Sequence, residues 1–117
     1  MSAKFQLLSD SATSDFAVSV EPGDAVTTVR VAGELDIYTA PKLLDHLRSM
    51  MEESGRTVAV DLGAVRFIDS SGLGALVNAL KQFRQTGGDL LLRSPTPSTY
   101  KLFEITGLTR VFTIENP

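Results

Sequence analysis

The sequence has no cysteine, no tryptophan and a single histidine, and aromatic residues make up only 7% of its 117 positions. Without cysteine there is no disulfide framework, no thiol chemistry and no cysteine-ligated metal site. One histidine excludes any site that needs two. Basic residues are outnumbered, 11 against 14, for a net charge of −3. That balance lacks the basic patch on which nucleic-acid binding and anionic-membrane binding rest. No apolar run approaches the roughly 18 residues of a membrane span. Phe5-Gln6-Leu7-Leu8 falls short of the ~7–15 apolar residues at the heart of a secretory signal. A cytoplasmic protein is expected by elimination.

What is present suits one globular domain. Apolar residues are 43% and charged residues 21% of the chain, an ordinary composition for a domain near the usual size. A chain of this length buries roughly two-thirds of its extended surface and can build a core unaided. The small polar stretch Ser9 to Asp15 reads as the end of a flexible leader, residues 1–15, followed by a domain over 16–117.

Periodicity then gives the elements. Phe16, Val18 and Val20 alternate, Glu21-Pro22-Gly23-Asp24 is a turn, and Val26 to Ala32 alternates again with Val29 and Val31 on one face. Together they predict an antiparallel hairpin, with Val26 out of phase. Gly33-Glu34-Leu35-Asp36 breaks the pattern, and Thr39 is the expected N-cap of a helix with Pro41 in its first turn. Its apolar stripe is Leu43, Leu44, Leu47, Met50 and Met51, with an end at Ser54-Gly55 and Glu52 and Glu53 on a solvated face. Thr57 to Asp61 reads as a central strand. Ser71 to Gln85 reads as a helix with Leu73, Leu76, Val77, Leu80 and Phe83 inward, stopped by Gly87-Gly88. Leu90 to Leu92 is a strand, Pro97 to Ile105 a helix stopped by Gly107, and Val111 to Ile114 a last strand. The order β-β-α-β-α-β-α-β predicts a single α/β domain whose mixed, mostly parallel sheet carries an N-terminal antiparallel hairpin, with helices packed on it.

The informative segment is Asp69-Ser70-Ser71-Gly72-Leu73-Gly74, at the end of the sheet where open α/β folds bind ligands. The serines stand in the first turn of a helix, where free N–H groups and the dipole favour negative charge. Gly72 and Gly74 leave the approach bare. A phosphoacceptor hydroxyl fits this setting; so does a plain helix cap, the commoner role. Asp69 is expected to organise the loop by accepting backbone N–H bonds, and Ser70 to cap the helix or serve as a second site. Asp36 is either a turn former or a polar contact, to a partner or to the Ser71 loop. The segment lacks the Gly-Lys-Ser/Thr ending of a P-loop, the third glycine of a dinucleotide fingerprint and the flanking glycines of a nucleophile elbow. His46, between Leu44 and Leu47, reads as a solvated surface residue.

Gly33-Glu-Leu-Asp36, Val60-Asp-Leu62, Phe67-Ile-Asp-Ser-Ser-Gly-Leu-Gly74 and Leu102-Phe-Glu-Ile-Thr-Gly-Leu108 resemble, in that order, the motifs of STAS domains, and in particular of bacterial anti-sigma factor antagonists. The match covers about residues 16 to 115. The resemblance implies a STAS fold and no catalytic residue, metal or cofactor. It implies phosphorylation at Ser71 by a partner that is both anti-sigma factor and ATP-binding serine protein kinase. It further implies a serine phosphatase that reverses the mark, release of a sigma factor while Ser71 is unmodified, and no direct contact with nucleic acid or membrane. Partner contacts are expected at Asp36, Asp69, Ser70, Ser71, Gly72, Leu73 and Gly74. The alternative is a non-catalytic STAS scaffold or adaptor, in a stress-signalling or membrane transport complex. A small hydrolase or nucleotidase is disfavoured by the lack of catalytic partners around Ser71.

Overall fold

Strand β2 runs unbroken from Val26 to Leu35 in a computed structural model, which describes residues 15–116. Thr27, Val29, Val31, Gly33 and Leu35 face inward along it, while Arg30 and Glu34 face water. Strand β1 (Ala17–Glu21) pairs with β2 antiparallel, Val18 opposite Val31 and Val20 opposite Val29. This is the expected hairpin, and Thr27 takes the inward place that Val26 is out of phase to fill.

Strands β3 (Thr57–Ile68), β4 (Asp89–Arg93) and β5 (Ile114–Glu115) follow in parallel, giving the order β1-β2-β3-β4-β5. Helices α1 (Ala40–Met50), α2 (Ser70–Gln85) and α3 (Pro97–Ile105) make the three crossovers. The predicted element order and mixed sheet are therefore found. Leu43 and Leu47 of α1 and Leu73, Leu76, Leu80 and Phe83 of α2 share one core with Val29, Val31, Val58, Val60, Leu90 and Leu92 of the sheet. Burying each such side chain contributes about 1.5–3 kcal/mol before chain entropy is subtracted.

The other face of the sheet is polar. Arg30, Asp61, Arg93 and Glu115 are register neighbours across four strands. Arg30 pairs with Glu21 at 3.2 Å and Asp61 at 3.5 Å, and Arg93 pairs with Glu115 at 2.9 Å. Arg93 also reaches Thr28 at 3.2 Å. Its guanidinium thereby crosses β3 beside Ala59, a residue on this face that is nevertheless fully buried.

Four elements differ from the sequence pattern. Gly33 does not end β2 but carries it through a bulge: the register slips on either side, φ is +96°, and a Cβ would lie 2.9 Å from Phe16 Cα. β3 continues past Asp61 to Ile68, burying Leu62, Val65 and Ile68. α1 stops at Met50, and the Met51 amide turns back to the Arg48 carbonyl at 3.1 Å. Glu52 and Glu53 consequently lie in a turn and not on the helix, with Glu53 paired to Arg56. At the C-terminal end, Leu108 to Arg110 form a 3-10 turn after Gly107, and the Val111 and Phe112 amides both bond the Leu108 carbonyl at 3.0 Å. Those donors are lost to the sheet, so the last strand is only Ile114–Glu115, while Phe112 packs edge-on against Phe103 at 6.0 Å.

Of the leader expected at residues 1–15, all but Asp15 lie outside the described residues. Asp15 makes a two-pronged pair with the Arg66 guanidinium, 3.0 Å on one side. Among the described residues no helix is long and apolar enough to cross a membrane.

Candidate functional site

β2 and β3 end side by side, Leu35 opposite Ile68, and each chain turns from there into a helix. The Asp69 amide donates to the Leu35 carbonyl at 3.2 Å, which ties the two turns together. Asp69 is extended (φ −111°, ψ −171°) and caps α2: one carboxylate oxygen accepts the amides of Ser71 at 2.9 Å and Gly72 at 3.1 Å. This is the loop-organising role expected of it. Ser70 is the first helical residue, exposed, and the cap is Asp69 in its stead.

Ser71 is half-buried, and its hydroxyl has no hydrogen-bond partner among the described residues. Its place in the first turn of α2 lets the helix dipole favour an anion by about 0.3–1 kcal/mol, while the amides of Ser71 and Gly72 are already held by Asp69. The two glycines beyond it separate. Gly72 is buried, and a Cβ there would lie 2.7 Å from the Leu35 carbonyl oxygen and 2.8 Å from the Ile68 side chain. It does not bare the surface for a visitor, as its spacing suggested; it lets α2 close on β2. Leu73, 9% exposed, belongs to the core. Gly74 alone is exposed, with nothing within 4 Å of a Cβ.

Asp36 is a turn former. Its carboxylate accepts the Tyr38 amide at 2.9 Å, the Thr39 amide at 3.0 Å and the Thr39 hydroxyl at 3.2 Å, and makes no hydrogen bond to the Ser71 loop. The Thr39 amide, then the Tyr38 amide and the Thr39 hydroxyl, hold the Asp36 carboxyl below the usual carboxylate range against a smaller upward push from desolvation. Thr39 sits at the N-cap position but makes no side-chain cap. Its hydroxyl instead donates to the Glu34 carbonyl at 2.7 Å and accepts the Asp36 amide at 2.9 Å.

This tight turn pushes out two residues that periodicity alone passes over, Ile37 at 64% and Tyr38 at 80% exposure. The available signal was their apolar character between a strand end and a helix start, outside either stripe. Ile37, Pro41 and Leu44 on one side and Ser71, Gly74 and Ala75 on the other enclose a groove of about 310 Å³ between α1 and α2. Asp45 and Arg48 also line it, 3.9 Å apart. His46 is exposed on the outer side of α1, away from Ser71. Among the described residues no group of three or more His, Cys, Asp or Glu is placed to hold a metal.

A five-stranded mixed sheet with a capped serine turn at the carboxyl end of its central strand defines a class of small α/β domain. The family model described as the STAS domain matches residues 17–116. The chain belongs to the STAS domain family, among its anti-sigma factor antagonists. An anti-sigma-B factor antagonist of Listeria monocytogenes is 42% identical over 86 residues, 74% of this chain and 75% of that protein. An anti-sigma factor antagonist of Mycobacterium paratuberculosis has a similar structure, TM-score 0.73 at 31% identity, covering 86% of each chain. The anti-sigma factor antagonist SpoIIAA in its unphosphorylated form shares the fold, TM-score 0.74 at 21% identity over 86% of this chain and 88% of that one. The phosphorylated form from Bacillus gives 0.69 at the same 21% identity, over 86% and 91%.

Proposed function

We propose that this protein is a non-enzymatic, cytoplasmic anti-sigma factor antagonist that works by exchanging partners. With Ser71 unmodified it binds an ATP-binding anti-sigma factor that is also a serine kinase, and a sigma factor is thereby freed. Phosphorylation of Ser71 ends that binding, and a serine phosphatase restores it. Residues 16–117 are the switching domain, and residues 1–15 a leader that precedes it.

The observation that carries this reading is the Ser71 hydroxyl, without a hydrogen-bond partner among the described residues at the start of α2, in a protein 42% identical to a named antagonist. A phosphoserine brings about −1.5 to −2 charges and three acceptor oxygens. The first turn of α2 accommodates them, whereas a partner surface packed over Ser71 meets bulk and charge without water. Like-charge or desolvated contacts there cost several kcal/mol, and a hundredfold loss of affinity needs only about 2.7 kcal/mol. Ser70, Ser71 and Gly74 meet the partner directly. Asp36, Asp69, Gly72 and Leu73 act by holding the two turns in place.

The test is incubation with the cognate kinase and ATP, read by intact mass and peptide mapping. One phosphate on Ser71, absent from Ser71→Ala, is expected. No phosphate, or one that persists in Ser71→Ala, overturns the proposal.

A further inference from the structure

Gly74 is a glycine that its own fold does not require. It lies inside α2, where glycine weakens a helix relative to alanine. A Cβ on it would meet nothing within 4 Å, and its φ is not left-handed. Gly72 shows the contrast, since the Leu35 carbonyl and Ile68 leave no room for a side chain there. Crowding inside the chain therefore does not explain this glycine. Gly74 floors the groove between α1 and α2, where Ile37, Pro41, Leu44 and Ala75 form the walls and Ser71 the rim.

Building on the partner-switching reading, we infer that this groove receives one apolar side chain of the anti-sigma factor, seated on Gly74, and that this is the contact a phosphate on Ser71 expels. The walls named above are carbon, and Asn78 is the one uncharged polar side chain that lines the groove besides Ser71. The charged groups that line the groove, Asp45 and Arg48, face each other at 3.9 Å and call for no counter-charge from an occupant. The volume, about 310 Å³, lies at the lower limit of the roughly 300–1,000 Å³ typical of small-ligand pockets. It is too small for a helix and large enough for an apolar side chain of a partner. Because Ser71 is part of the same groove, a partner that covers the hydroxyl also covers Gly74. A dianion on that rim would be pressed against apolar atoms that cannot solvate it, so occupant and phosphate exclude each other.

The experiment is calorimetric titration of the cognate anti-sigma factor into wild type, Gly74→Ala, Gly74→Leu and His46→Leu, each checked for a native circular dichroism spectrum and unfolding midpoint. His46→Leu adds apolar bulk on the outer side of α1. Gly74→Leu should lose at least about tenfold in affinity, Gly74→Ala less, and His46→Leu nothing. A photocrosslinker in place of Asn78, which lines the groove without being its seat, should capture an apolar residue of the partner. A folded Gly74→Leu that binds like wild type, or crosslinks confined to charged partner residues, overturns the inference. The switch itself survives that result if Ser71→Asp still weakens binding. Failure of wild type to bind the anti-sigma factor overturns both.

Discussion

Leu35 and Gly72 meet backbone to backbone: a Cβ on residue 72 would stand 2.7 Å from the Leu35 carbonyl oxygen. That same oxygen accepts the Asp69 amide. The end of β2 and the start of α2 are therefore joined at one point, and the position of Ser71 depends on it.

Adding a methyl at residue 72 forces this joint open. Gly72→Ala should destabilise the domain by about 1–3 kcal/mol, the usual range for overpacking. Gly74→Ala should raise stability by roughly 0.5–1 kcal/mol, as expected for an uncrowded helical glycine. Urea unfolding of the two variants side by side measures both, and opposite signs are the expected outcome.

Among the described residues, Asp69 supplies the only side-chain acceptor for the amides of Ser71 and Gly72. Asp69→Ala should cost about 0.5–2 kcal/mol, whereas Asp69→Asn, another good cap, should stay close to wild type. The rate of Ser71 phosphorylation should fall in the alanine variant and recover in asparagine, since the turn that presents the hydroxyl is restored with the cap.

Acid should loosen the Asp36 turn late. The folded state holds this carboxyl below its ordinary value of 3.8 through the Thr39 amide first, so the contribution is fully present above that value and lost as pH falls through the lower, folded one. Amide shifts of Tyr38 and Thr39 followed by NMR should move together only below the ordinary carboxylate range. In Asp36→Asn that transition should vanish.

Phosphorylation should leave the backbone where it is. Among the described residues the Ser71 hydroxyl has no hydrogen bond to lose on acquiring its phosphate, so amide shift changes should cluster within residues 37–48 and 69–78. Shifts spread evenly over all five strands would contradict a local effect.

The order of elements, the hairpin and the helical stripes were legible because each carries its own period: two for Phe16, Val18 and Val20, and three to four for Leu73, Leu76, Leu80 and Phe83. The ends of β2 and β3 were not. Gly33 bulges β2, and the register slips on either side of it leave β3 burying Leu62, Val65 and Ile68 at every third residue. A strand with that spacing fails any test for alternation. The last strand was misplaced for another reason: the Leu108 carbonyl claims two amides that propensity would assign to a sheet. At the site, Asp69 and Ser71 could be found from sequence because capping is local. The groove could not, since it exists only where α1 and α2 come together, and the distinction between Gly72 and Gly74 depends on what each one faces.

The row of Arg30, Asp61, Arg93 and Glu115 neutralises its own charges across the sheet. A flank that has already answered its own electrostatic needs gives neighbours little reason to adhere. A partner docking on this flank would have to break Arg30–Asp61 or Arg93–Glu115 before gaining an ion pair of its own.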